Sequence, residues 1–145
     1  MRAVLFDASI YIAVLRARDD ASLALRQIAG GETVWLSSVV LEELYAGANP
    51  RNRRVVEALE LDFNKVRRNV VPNLSDWIQT GKLLASLAAT YDYEQIGRGR
   101  LTNDALIAVS AGRRGITVIT ANAKDFARLA EFRPFRWRVS RPPAN

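Results

Sequence analysis

Acidic side chains recur in this chain at places where a strand gives way to a helix. Asp7 follows the apolar run Ala3-Val4-Leu5-Phe6. A short continuous apolar run closed by a polar residue reads as a buried strand of the parallel kind. Asp7 would then stand at the carboxyl end of the first strand, the edge where open α/β sheets bind ligands. Glu42 and Glu43 lie near the start of a helix that follows a second strand, and Asp104 near the start of another. Asn122 and Asp125 follow the β-branched run Ile116-Thr117-Val118-Ile119-Thr120. Each acid also has a plain structural reading. Asp7 or Ser9 could cap a helix, and the two glutamates could be solvated helix acids favoured by the dipole. A set of them gathered in one place would be different. Several carboxylates share a few ångströms only if a cation neutralises them or some stay protonated.

The rest of the composition narrows the chemistry. The chain has 145 residues with neither Cys nor His. That excludes a Ser-His-Asp triad, a thiolate nucleophile and a zinc site built from N and S ligands. An all-oxygen site suits hard cations, Mg²⁺ or Mn²⁺. The net charge is +6, and Lys occurs only at 65, 82 and 124, so the cations are mostly Arg. Arg presents a planar fork that fits phosphate. A basic protein with an acidic site is a combination expected of a phosphodiesterase, although a charge excess by itself also serves solubility. Without cysteine, a reducing cytoplasmic compartment is expected. No run approaches the length of a membrane span, and no basic, apolar leader precedes the first strand, so no secretory signal is expected.

Hydrophobic content of 49% supplies a core, and the length predicts a single domain over residues 1–140 with a loose tail, 141–145. After the first strand the pattern predicts helices over 10–16 and, capped by Asp20, over 21–28, closed by Gly30-Gly31. A strand over 33–36 leads to a helix over 39–48, capped by Ser37 or Ser38. A charged helix over 51–61 follows, which 63–68 continues or breaks. Asn69 to Pro72 reads as an edge strand. Ser75 caps a long helix over 76–89. Tyr91 to Leu101 reads as a loop in which Arg98 and Arg100 could clamp phosphate. Thr102 or Asn103 caps an apolar, buried helix over 104–113. A strand over 116–120, a short helix over 125–130 and a last strand over 135–139 complete the chain. Alternation of this kind means an α/β domain with a mainly parallel sheet. Right-handed crossovers put every strand-to-helix junction on one edge, but whether the acids converge depends on strand order, which periodicity does not give.

Four segments in this order resemble the PIN-domain ribonucleases, and among them the VapC toxins of type II toxin–antitoxin modules. They are Phe6-Asp7-Ala8-Ser9, Ser38 to Gly47 with Glu42-Glu43-Leu44-Tyr45-Ala46-Gly47, Asn103-Asp104-Ala105-Leu106-Ile107-Ala108, and Thr120-Ala121-Asn122-Ala123-Lys124-Asp125-Phe126. The resemblance implies a three-layer α/β/α fold with a five-stranded parallel sheet. It implies an acidic quartet that binds Mg²⁺ or Mn²⁺ and hydrolyses RNA phosphodiesters with metal-activated water. Asp7 matches the first acid. Glu43 matches the second, since the family's Glu directly precedes Leu and has Gly four positions on; Glu42 is then a bystander. Asp104 matches the third. The fourth falls on Asn122 or on the nearest carboxylate, Asp125. Ser9 and Thr120 match hydroxyl positions that orient the acids. Asp7, Glu43 and Asp104 would hold the metal, and Arg98 and Arg100 would position RNA.

The resemblance further implies a homodimer and a cognate antitoxin whose C-terminal segment lies in an apolar groove, with Tyr11, Leu44 and Tyr45 as candidates to line it. Two other readings stand beside this one. A phosphatase of the haloacid dehalogenase type also sets Asp after its first strand, but needs a second Asp two residues on, where this chain has Ser9. A PIN-like module that binds RNA or a partner without cutting is the non-enzymatic alternative, and Asn122 in an acid position is its best support.

Overall fold

The computed structural model describes residues 2–17, 21–92 and 100–140, with Arg100 described through its backbone only. The expected cap Asp20, the loop residue Arg98, the side chain of Arg100 and the tail 141–145 lie outside the described residues. In chain order the elements are β1 (Ala3–Phe6), α1 (Ala8–Arg16), α2 (Ala21–Ala29), β2 (Thr33–Ser37), α3 (Ser38–Gly47) and α4 (Pro50–Val66), followed by β3 (Asn69–Val70), α5 (Leu74–Thr90), α6 (Arg100–Arg113), β4 (Thr117–Thr120), α7 (Ala123–Phe132) and β5 (Trp137–Val139). The strands form one sheet in the order β3-β2-β1-β4-β5, and every pairing is parallel.

The order follows from how a parallel sheet is wound. From β1 the chain steps to β2 and then β3 in one direction, with α1 to α4 in the crossovers. It then returns past β1 to β4 and steps outward to β5, with α5 to α7 in the crossovers. Right-handed crossovers in opposite directions lie on opposite faces, which makes the three layers α/β/α. Helices α5, α6 and α7 pack on one another, while α1 packs on α2 and α3 and α3 on α4. The order of winding reverses between β1 and β4, and the carboxyl ends of those two parallel strands flank the switch point where ligands bind in such sheets.

Local chemistry fixes the elements. The β1 core residues Val4, Leu5 and Phe6 are buried, as are Val118 and Ile119 of β4. Gly30 and Gly31 take positive φ between α2 and β2, a region costly for a residue with a Cβ. Pro50 opens α4 at a position where its missing N–H is no loss, and Asn49 caps it by accepting from Asn52 N–H at 2.8 Å.

Several boundaries differ from the sequence-based expectation. Helix α6 starts at Arg100 rather than 104, so Thr102 and Asn103 are helical and not caps. Helix α5 starts at Leu74, capped by Asn73 in a reciprocal box with Asp76, so Ser75 is inside it. Asp76 can be both box partner and ion-pair partner because Arg113 reaches it from α6 at 2.9 Å. Helix α4 runs unbroken through Phe63 and ends in Arg67, which takes the left-handed conformation normally left to Gly. Helix α1 starts two residues earlier than expected and α7 runs over Ala123–Phe132, while β3 and β5 are shorter than expected.

Candidate active site at the sheet switch point

Asp7 leaves β1 in extended backbone and caps α1, accepting from Ile10 N–H at 3.4 Å. It is thereby held at the carboxyl end of the strand, and its own N–H bonds Ile119 O of β4 at 3.0 Å. Both carboxylate oxygens are engaged. Ser9 Oγ donates to Oδ1 at 2.5 Å and Thr120 Oγ1 donates to Oδ2 at 2.6 Å. Each hydroxyl in turn accepts a backbone N–H, Ser9 Oγ from Ala121 at 3.0 Å and Thr120 Oγ1 from Asn122 at 2.9 Å. Two N–H groups of the turn after β4 are thus relayed through two hydroxyls onto one carboxylate of β1. Chains of hydrogen bonds polarise one another in a low-dielectric setting. Even so, burial outweighs the hydrogen bonds from Ser9, Thr120 and Ile10, and the Asp7 carboxyl is raised above its ordinary range.

Glu43 comes from the adjacent strand's helix. Ser37 ends β2 and caps α3 by accepting from Val39 N–H at 3.2 Å, so α3 rises from the same sheet edge as α1. Glu43 stands on its second turn, one residue before the buried Leu44. Burial first, then the charge of Asp7, then that of Glu42, push its carboxyl up to about 7. Its Oε1 is buried and has no hydrogen-bond partner among the described residues. A buried acceptor left orphaned costs on the order of 1–3 kcal/mol. An orphaned carboxylate oxygen beside a second carboxylate is an all-oxygen donor set of the kind that hard divalent ions fit.

Asp104 lies half-buried on the second turn of α6. Helix α6 delivers the chain to β4 at the amino edge of the sheet, so its N-terminal end points to the carboxyl edge, and it packs against α3. Asp125 Oδ2 accepts from Asn122 Nδ2 at 3.0 Å, and Asn122 joins the Asp7 network through its backbone N–H. Among the described residues no three acidic side chains form a ready metal cage. The structure therefore brings Asp7, Ser9, Thr120 and Glu43 together and sets Asp104 on the facing helix. It turns Asp125 onto Asn122. The backbone donors at Ile10, Ala121 and Asn122 carry no side-chain signal, and sequence reading does not find them.

An apolar groove opens on the sheet face that α2 and α4 cover. A cavity of about 460 Å³ is lined by Phe6, Tyr11, Leu25, Val34, Leu59 and Phe63. A smaller one of about 110 Å³ shares Tyr11, Leu25 and Leu59 with it. Tyr11, one of the residues expected to line a groove, borders both cavities. Leu44 is core, and Tyr45 ties α3 to α4 by donating to Glu60 Oε1 at 2.6 Å. The Tyr11 hydroxyl is buried without a partner among the described residues, and burial raises its pKa.

Comparison with solved structures places the fold among toxin–antitoxin proteins. A chain of the DNA-bound VapBC complex of Salmonella typhimurium is 25% identical with a TM-score of 0.67, covering 96% of this chain and 98% of that one. A chain of the VapBC2 complex of Rickettsia felis bound to promoter DNA is 23% identical with a TM-score of 0.64, covering 96% and 99%. A chain of VapBC-5 from Mycobacterium tuberculosis is 24% identical with a TM-score of 0.58, covering 97% and 99%. No curated protein matches the sequence. The sequence profile of the PIN domain matches residues 4–132, from the first strand to the end of α7, and the chain therefore belongs to the PIN domain family.

Proposed function

We propose that the chain is a metal-dependent endoribonuclease and the toxin of a toxin–antitoxin pair. The observation that carries the nuclease reading is the orphaned, buried Glu43 Oε1 next to Asp7 at the sheet switch point. Asp7, Glu43 and Asp104 would hold Mg²⁺ or Mn²⁺. A bound divalent ion supplies Lewis acidity at the scissile phosphate and acidifies water. The chain's own residues do the rest. Ser9 and Thr120 fix both oxygens of Asp7, so that carboxylate presents one geometry. Burial, Asp7 and Glu42 raise the Glu43 carboxyl; a cation beside it would favour the ionised form, with Oε1 as ligand to the ion or to its water. The cleavage would leave a 5′-phosphate and a 3′-hydroxyl. Arg98 and Arg100 are offered as contacts to the RNA backbone.

The partner reading rests on the neighbours, which are chains of VapBC complexes. A cognate antitoxin segment would lie in the groove bordered by Tyr11. A homodimer and a cytoplasmic setting belong to the same reading. Among the described residues no helix is long and apolar enough to cross a membrane. Size-exclusion chromatography of the protein alone checks the dimer: a clean monomer contradicts it.

RNA cleavage by Asp7→Asn and Glu43→Gln proteins, with Mn²⁺ and with chelator, tests the nuclease. Loss of at least a hundredfold in each variant and in chelator is expected. Full activity in either variant defeats the assignment. The alternative, a PIN-like module that binds RNA or a partner without cutting, draws on Asn122 and on the missing three-acid cage. It requires no divalent site, so a metal titration that saturates at one specific site argues against it.

A further inference from the structure

Helix α5 turns one face into the molecule and leaves an apolar one outside. Asp76, Thr80, Leu83 and Leu87 are buried, and α5 packs on α6 and α7. Positions 74, 78, 81 and 85 recur at helical spacing on the other side. Leu74 is 76% exposed, Trp77 54% and Ile78 48%, and Val71, shortly before the helix, is 59% exposed. Together these four leave on the order of 500 Å² of largely apolar surface bare, at the upper end of what a monomer shows. Lys82 is the one charged side chain on the exposed face of α5.

The second half of the same stripe is small. Gly81 and Ala85 are exposed, and a Cβ placed on Gly81 meets nothing within 4 Å. Gly81 also has no positive φ. Nothing inside the chain therefore requires glycine there, and a glycine in the middle of an exposed helix weakens it. What it permits is the close approach of another backbone. The stripe is bulky toward its amino end and shallow toward its carboxyl end, so it fits its own image turned about a two-fold axis. With the axis at Gly81, Trp77 of one copy lies over Ala85 of the other and the two glycines face each other. Self-complementarity of this kind defines an isologous interface. Pairing would hide about 1,000 Å² from the four apolar side chains of both copies, the area at which an interface becomes specific.

We infer that this face of α5 is where two copies of the chain meet, helix against helix around Gly81. The inference rests on the homodimer reading above and names the face that makes the dimer. A nucleic acid would need clustered cations, and the face offers one.

Sedimentation equilibrium of the full chain across the micromolar range tests it. The parent is expected to dimerise, and Trp77→Glu/Ile78→Glu to do so at least about a hundredfold more weakly. Gly81→Leu is the decisive variant. The folded chain has room for the new side chain, so the protein is expected to keep its circular dichroism and to lose the dimer to a similar degree. The chain has no cysteine, so Gly81→Cys supplies a unique thiol. Oxidation is expected to link that protein into covalent dimers and to leave Lys65→Cys, on α4, largely unlinked. A parent that stays monomeric overturns this inference and the homodimer reading together, whatever other partner then covers the face. A parent dimer that persists at parental strength in Gly81→Leu overturns the face alone and leaves the homodimer reading standing.

Discussion

Glu43 holds its proton more tightly in the fold than an unfolded glutamate does, because burial, Asp7 and Glu42 together raise its carboxyl from 4.5 to about 7. A folded state that binds the extra proton loses stability as pH rises. The sign is therefore negative across the window from 4.5 to about 7, and Asp7, also raised, acts in the same direction. Glu43→Gln removes the ionisation. In chelator near pH 8 the variant is expected to be more stable than the parent by about 1 kcal/mol, the shift being discounted for a half-exposed group. Near pH 4 the two should melt together. Denaturant titrations at both pH values check this, and a variant less stable at the higher pH refutes it. Asp7 bears out its structural reading as a helix cap. It caps α1 and also anchors the hydroxyl relay. Asn can still accept from Ile10 N–H, so Asp7→Asn is expected to cost under about 1 kcal/mol in stability. Asp7→Ala loses the cap and orphans two hydroxyls, for about 2 kcal/mol.

The elements were legible as types and less so at their ends. The continuous apolar run at 3–6 and the β-branched run at 117–120 announce strands, and Val4, Leu5, Phe6, Val118 and Ile119 are buried. The start of α6 was not legible: the polar residues 102 and 103 look like caps, but the helix has already begun at Arg100. The end of α4 was equally hidden, since Arg67 takes a left-handed conformation with no Gly to mark it. Nor does spacing reveal that Asp76 must meet Arg113, a contact set by how α5 and α6 pack. That contact positions the site indirectly. It ties the start of α5 to the end of α6 through a carboxylate that is 3% exposed, with Arg113 Nε bonding both oxygens at 3.0 Å. Arg113→Ala leaves that carboxylate buried and unpaired. A loss of about 3 kcal/mol is expected in urea unfolding. Asp76→Ala also forfeits the box at Asn73. If Arg113→Ala unfolds like the parent, the pair does not hold the two helices together.

Across the whole molecule, local pattern supplied the alternation and chain winding supplied the site. Asp7 and Thr120 are 113 residues apart in sequence. They meet only because the chain, having wound outward through β2 and β3, returns to lay β4 on the other side of β1. No periodicity encodes that return; the resemblance of four short motifs to a known family did. The same winding packs α3 against α6, the helices that carry Glu43 and Asp104, and it brings Asp7 and Glu43 to one edge. A molecule built this way should be stabilised by the ion it is proposed to hold, since the acids are gathered and repel one another only in the folded state, where the ion offsets that repulsion. Binding restricted to the native state contributes RT ln(1 + [L]/Kd), about 2.7 kcal/mol at a hundred times Kd. Mn²⁺ is therefore expected to raise the melting temperature by several degrees near pH 8. The rise should shrink near pH 5, where protons compete at Glu43, and should vanish in the Asp7→Asn protein. A melting temperature indifferent to Mn²⁺ at both pH values would mean that the acids of this edge do not form a cation site.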